Sequence, residues 1–219
     1  MLPKLNQPAE VGLDQVTLAE AVQHLCLIEP RFAGVLRQHG MPSLRQATGG
    51  LQSLLLIVTE QFLSLAAAHA IWQRLQARLS PFEALVILSC PQEELVALGL
   101  SRAKAQSFHG LATALIEKRL DFDALRLMDD DMAQRTLVAL PSIGPWSADI
   151  YLLSCLLRAD VWPWGDVALQ NAAHDLFDLS HRPAKAEMLA LGVNFRPYRA
   201  VAARLLWSHY RGLKGLKQA

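Results

Sequence analysis

Apolar residues recur along this chain at three- and four-residue spacing, and no stretch alternates residue by residue, so the pattern predicts helices and no strands. A first helix is expected over Thr17–Leu27, with Thr17 as N-cap and Glu20 three residues later in a capping-box spacing. Pro30–Gln38 follows, closed by His39-Gly40, and Ser43 is placed to cap a short helix. Leu51–Leu79 reads as one long helix or two abutting ones, stopped before Pro81. Pro81–Ser89 and Pro91–Leu98 each carry proline in the first turn, and Ser101 caps a helix to about Arg119. Asp129-Asp130-Asp131 sets negative charge at the start of a helix over Met132–Ala139, where the macrodipole favours it. Further helices are expected from near Trp146, from Asp166 to about Phe177, and from Pro197 to about Tyr210. With no internal repeat and no long low-complexity linker, the expectation is an all-α protein folded as two helical lobes.

The composition agrees with a buried core: 219 residues, 52% hydrophobic, dominated by Leu and Ala. The most apolar stretch, around Leu51 to Ala70, is interrupted by Glu60, Gln61 and His69, which argues against a membrane span. Residues 1–6 lack the basic start and apolar run of a secretory signal, so a cytoplasmic protein is expected. Cys26, Cys90 and Cys155 lie far apart without ligand spacing, which speaks against a zinc site, and three are too few for an all-cysteine iron–sulfur cluster. Net charge is only +1, but eight Lys/Arg against one acid, Glu187, lie between Arg182 and Lys217. A basic end suits a phosphate backbone, and equally a solvated helix face.

Leu140-Pro141-Ser142-Ile143-Gly144-Pro145-Trp146-Ser147-Ala148 is the most informative segment. One helix ends, a tight turn passes through Pro141 and Gly144, and another helix starts at once. Backbone amides at the second N-terminus, beside its positive dipole end, make a phosphate site that needs no lysine. Gly144 is expected to allow close backbone approach and a positive φ, and Pro145 suits a first helical turn. An ordinary αα-hairpin would use the same residues.

The segment resembles the Leu-Pro-x-Ile-Gly-x-x-Ser/Thr-Ala hairpin of the helix-hairpin-helix (HhH-GPD) DNA glycosylases. Their Gly/Pro-rich loop and following Asp correspond to Trp162-Pro163-Trp164-Gly165 and Asp166. Glu60-Gln61-Phe62-Leu63-Ser64-Leu65-Ala66-Ala67-Ala68, Gly99-Leu100-Ser101-Arg102-Ala103-Lys104-Ala105 and the block from Phe195 to Trp207 resemble the AlkA-type 3-methyladenine glycosylases in the same order. The resemblance spans roughly Leu51 to Trp207 and departs from the family at Ser142 (usually Gly), Ile150 (a tyrosine position) and Phe195 (commonly Trp). It implies a two-lobed fold with one lobe of about residues 1–50 plus 160–219. The other covers about 51–159 and contains the hairpin at about 132–158. It further implies a compact form without an N-terminal β-domain.

What the resemblance implies chemically is release of alkylated bases from double-stranded DNA, by a monomer that needs no cofactor and no membrane. Bifunctional members carry a Schiff-base lysine at the position of Trp146, which has no amine, so a monofunctional enzyme is expected. Asp166 would stabilise the positive charge that builds on the sugar, and it is also a good N-cap. Trp146, Ile150 and Trp207 would line the base pocket, and Phe62 would wedge into the gap left by the flipped nucleotide. Phe62 and Trp207 are equally residues that fill cores. Ser142, Gly144 and Ser147 would bind phosphate, and the carbonyls of Val138, Leu140 and Ile143 would hold Na+ or K+. The rivals are a non-catalytic helix-hairpin-helix DNA-binding protein, against which Asp166 and the aromatic positions count, and a glycosylase for other base lesions.

Overall fold

The computed structural model describes residues 12–44 and 46–215. Among these residues the chain forms thirteen α-helices and no strand: α1 (Gln15–Ile28), α2 (Arg31–His39), α3 (Gly50–Glu60), α4 (Leu65–Leu79), α5 (Ala84–Ser89), α6 (Gln92–Ala97), α7 (Arg102–Ile116), α8 (Phe122–Leu127), α9 (Asp130–Val138), α10 (Pro145–Ser154), α11 (Val167–Leu176), α12 (Lys185–Val193) and α13 (Arg199–Leu213). No helix among them is long and apolar enough to cross a membrane.

Local chemistry explains where the helices differ from the periodicity. Asp14, not Thr17, caps α1, in a reciprocal box: its carboxylate accepts the Thr17 amide at 2.7 Å, and the Thr17 hydroxyl accepts the Asp14 amide at 2.8 Å. Residues 42–44 and 46–49 are irregular, so Ser43 caps nothing, and α3 begins only after Gly49. The long apolar stretch breaks at Gln61–Ser64 into α3 and α4, and the Ser64 hydroxyl caps the second. Pro81 and Pro91 precede α5 and α6 rather than opening their first turns; Pro145 does open α10. Periodicity overlooked α8, which Asp121 caps through the amides of Asp123 and Ala124, and α12.

The described residues divide into two compact units, one of residues 47–151, the other of residues 12–44 and 46 together with 152–215. In the first unit α7 packs on α3, α5 and α6, and Leu54, Leu55, Val58, Leu75, Leu79, Phe108 and Leu111 are wholly or almost wholly buried. In the second, α13 packs on α1, α2 and α11. Residues Ala200 to Leu206 of α13 are buried all round, as suits a central helix. Phe32, Phe177 and Phe195 meet in this core at centroid distances of 5.3–6.1 Å. Arg204 donates to the carbonyls of Ser43 (3.2 Å) and Leu153 (2.8 Å), the latter in the last turn of α10. Burial pulls its pKa down to about 10.

Candidate functional site

α9 and α10 form the hairpin, joined through residues 139–144. Gln134 on α9 donates to the buried Asp149 of α10 at 2.5 Å, tying the two helices together. Gly110 on α7 faces the turn: a Cβ there would come within 3.2 Å of the Pro141 ring. The left-handed residue of the turn is Ser142 (φ 61°), whereas Gly144 does not have positive φ, contrary to the expectation from sequence. A Cβ at Gly144 would meet nothing within 4 Å, so this glycine leaves room on the outer side of the turn. The amides of Gly144 and Ser147 belong to the turn and first helical turn, where no preceding residue offers an intrahelical acceptor.

A non-glycine residue in the left-handed region costs about 1–2 kcal/mol. Ser142→Gly removes that cost but adds unfolded-state freedom worth about 0.5–1 kcal/mol. The expected net is a stabilisation of no more than about 1.5 kcal/mol, read by thermal melting, with DNA affinity unchanged. A lower midpoint would show that the Ser142 side chain contributes bonds of its own.

Phe62 is fully exposed, with φ 57°, in the break between α3 and α4. The core reading of this residue is therefore excluded, and it does not lie on a continuous helix. The residues around it are tightly held. The Gln61 amide group donates to Ser147 Oγ at 2.7 Å and to the Ser142 carbonyl at 3.2 Å. Lys104 Nζ donates to the carbonyls of Thr59 (2.8 Å) and Gln61 (2.6 Å), at the end of α3 where the macrodipole favours a cation. Partial burial lowers the Lys104 pKa. The Ser147 side chain is buried and engaged by Gln61, so any phosphate contact at Ser147 falls to its amide.

In the second unit, Trp162 anchors the Gly/Pro-rich loop. Its indole is buried, donates to the Met188 carbonyl at 2.8 Å, and fills the space left by Gly192, where a Cβ would clash at 2.7 Å. The loop then turns through the Asp166 amide donating to the Pro163 carbonyl (2.9 Å) and presents Asp166 as the N-cap of α11. Asp166 Oδ1 accepts from the Leu169 amide at 2.8 Å and from the Trp207 indole N–H at 3.0 Å. Asp166 and Trp207, predicted separately, are thus a bonded pair of half-buried side chains.

Trp146 and Ile150 are half-buried and lie one turn apart on one face of α10. Tyr151, adjacent to the position where tyrosine was expected, points elsewhere. It is buried, stacks on Phe122 at 5.9 Å, and its hydroxyl accepts the Gly50 amide at 2.9 Å.

The basic end is largely committed to the protein itself. Arg199 pairs with Asp160 (2.9 Å), Arg204 is buried among carbonyls, Lys185 sits 4.6 Å over the Trp164 ring, and Arg211 donates to Ser208. Lys217 lies outside the described residues.

Residues 56–197 match the family described as HhH-GPD superfamily base excision DNA repair protein, and the chain belongs to that superfamily. It is 26% identical over 194 residues to an alkylbase DNA glycosidase-like protein, mag2, of Schizosaccharomyces pombe, covering 85% of this chain and 91% of the relative. It is 26% identical over 127 residues to a DNA-3-methyladenine glycosylase of Bacillus subtilis, of whose length it covers 41% (58% of its own). The fold is that of the Schizosaccharomyces pombe 3-methyladenine DNA glycosylase Mag1, solved in complex with abasic DNA: TM-score 0.80, 24% identity, 86% of this chain and 95% of that one.

Proposed function

We propose that this protein is a monofunctional DNA glycosylase that flips alkylated purines of the 3-methyladenine and 7-methylguanine type out of duplex DNA and releases them by hydrolysis. The observation that carries the reading is the Asp166–Trp207 pair: a carboxylate and an electron-rich ring locked together by one 3.0 Å hydrogen bond. Membership of the superfamily and the names of its relatives supply the substrate class.

The turn and first-turn amides seat a phosphate. Phe62, with no core role, fills the gap as the nucleotide turns out. The cationic base stacks on Trp207, an attraction of roughly 0.5–2 kcal/mol beyond that for a neutral base; Trp146 and Ile150 are proposed as further base contacts. As the C1′–N bond breaks, the electron pair leaves with the base, which departs neutral. The Asp166 carboxylate stabilises the cationic sugar, water adds its oxygen to C1′, and one proton is released to solvent. The proposed setting is the chromosome in the cytoplasm.

Val138 ends α9, so its carbonyl belongs to the terminal turn, and the Leu140 carbonyl accepts only a long 3.3 Å bond from the Ile143 amide. These oxygens suit a monovalent cation such as Na+ or K+, which would add positive charge beside the phosphate seat.

The test is incubation with duplexes carrying single defined lesions. The expected product is an intact abasic site, cleaved only on later heating in alkali, with no enzyme–DNA adduct trapped by borohydride. A trapped adduct would reveal an amine nucleophile and overturn the hydrolytic reading.

A further inference from the structure

Phe62 is a bulky apolar side chain held wholly in solvent, in a backbone conformation unfavourable to it, and two polar residues fix its immediate neighbour from opposite ends. The side chain of Gln61 donates both its bonds to the hairpin turn and helix, at the Ser142 carbonyl and Ser147 Oγ. The main-chain carbonyl of Gln61 is held by Lys104, which also takes the Thr59 carbonyl two residues back. Gln61 therefore bridges the wedge turn and the segment whose amides seat the phosphate. Lys104, part-buried and spent on two carbonyls, is not placed as a DNA contact.

We infer that Gln61 and Lys104 are positioning residues that lock the Phe62 turn to the hairpin, so that seating a phosphate on the hairpin sets the depth and register of the Phe62 wedge. The inference rests on the proposed glycosylase reading but concerns a different link, the coupling of backbone grip to base extrusion. A bond to the hairpin turn keeps the wedge at a fixed distance from the gripped phosphate. Without it, Phe62 is free to leave the left-handed conformation, and the protein grips DNA without presenting the wedge in register. The effect is expected on the extruded state and not on the initial encounter.

The experiment compares Gln61→Ala, Lys104→Met, Lys104→Arg, Phe62→Ala and the Gln61→Ala/Phe62→Ala double variant, each first checked for folding by thermal melting. Three quantities are read: affinity for undamaged duplex, affinity for duplex with a tetrahydrofuran abasic analogue, and single-turnover excision of 7-methylguanine at saturating enzyme. Gln61→Ala and Lys104→Met should bind undamaged duplex like the wild type. They should lose on the order of tenfold in analogue affinity and in saturated rate, the loss of one or two exposed or part-buried hydrogen bonds to the wedge turn. Lys104→Arg should recover much of the loss, since its guanidinium still donates to two carbonyls. The double variant should be no worse than Phe62→Ala alone, because Gln61 acts through Phe62. Additive losses, or an equal loss of undamaged-duplex affinity, would overturn the inference and make Gln61 part of the phosphate seat. Wild-type behaviour of Gln61→Ala would also overturn it. If Phe62→Ala itself has no effect on the analogue, the wedge reading falls and the inference with it. If wild type excises nothing but the analogue affinities follow the stated pattern, the glycosylase reading fails and the coupling stands.

Discussion

Asp166→Asn should fold and bind DNA like the wild type while its saturated excision rate for 3-methyladenine falls at least about a hundredfold. Two donors to the carboxylate, the Leu169 amide and the Trp207 indole, go to one oxygen, Oδ1. An asparagine oxygen in the same place accepts both. Asn is also as good an N-cap as Asp, so the start of α11 should hold with a stability change of less than about 1 kcal/mol. What disappears is the negative charge proposed to face the cationic sugar, and electrostatic groups of this kind typically supply two to three orders of magnitude. Asp166→Ala is the less informative variant, because it also removes the cap and leaves the Trp207 N–H without its acceptor. Excision by Asp166→Asn within tenfold of wild type, with folding intact, would show that Asp166 is a capping residue and nothing more.

That Asp166 caps a helix was legible from the density of local signals around it, whereas its proposed chemical role came from the family resemblance. A Gly/Pro-rich loop, an N-cap residue and a helical run adjoin one another, and each is chemistry a short window can hold. The hairpin was legible for the same reason, down to the turn, though the left-handed position fell on Ser142 instead of Gly144. Two abutting helices were among the expectations, but the position of the break at Phe62 was not legible. Leu/Ala periodicity continues across it without glycine or proline, and the turn is held from outside, by Ser147, 86 residues from Gln61, and by Lys104. Gln134 and Asp149 are likewise partners that only the packed hairpin brings together. At the basic end, composition left a phosphate contact and a solvated helix face equally open, while the fold spends Arg199 on Asp160 and buries Arg204 among carbonyls. Long-range polar contacts leave no periodic trace, so the positioning residues are the part of the site that had to await the fold.

Trp207→Ala should lower excision of 3-methyladenine and 7-methylguanine by roughly 20- to 300-fold, and excision of hypoxanthine by much less. Two contributions combine. The ring face that attracts a cationic base is worth roughly 0.5–2 kcal/mol, or about 2- to 30-fold. The indole N–H that steadies Asp166 adds roughly another tenfold, since it is a hydrogen bond to a charged group. Trp207→Phe separates them. It keeps an aromatic face and removes the donor, so it should lose about tenfold on every substrate without changing the preference for cationic bases. On the proposed reading, the preference itself follows from what the base meets. Ile150 offers no hydrogen bond, and Tyr151 is turned into the first unit, where its hydroxyl accepts the Gly50 amide. With no donor or acceptor at these two positions to read a neutral purine's edge, discrimination falls to ring charge and to how readily the base leaves. Wild type is therefore expected to release cationic alkylated purines efficiently, hypoxanthine weakly, and 8-oxoguanine paired with cytosine not at all. Ile150→Tyr should raise the hypoxanthine rate relative to 7-methylguanine. Single-turnover rates on matched duplexes decide it: if wild type removes hypoxanthine as fast as 3-methyladenine, or if Trp207→Ala lowers both rates by the same factor, ring charge is not what this protein reads.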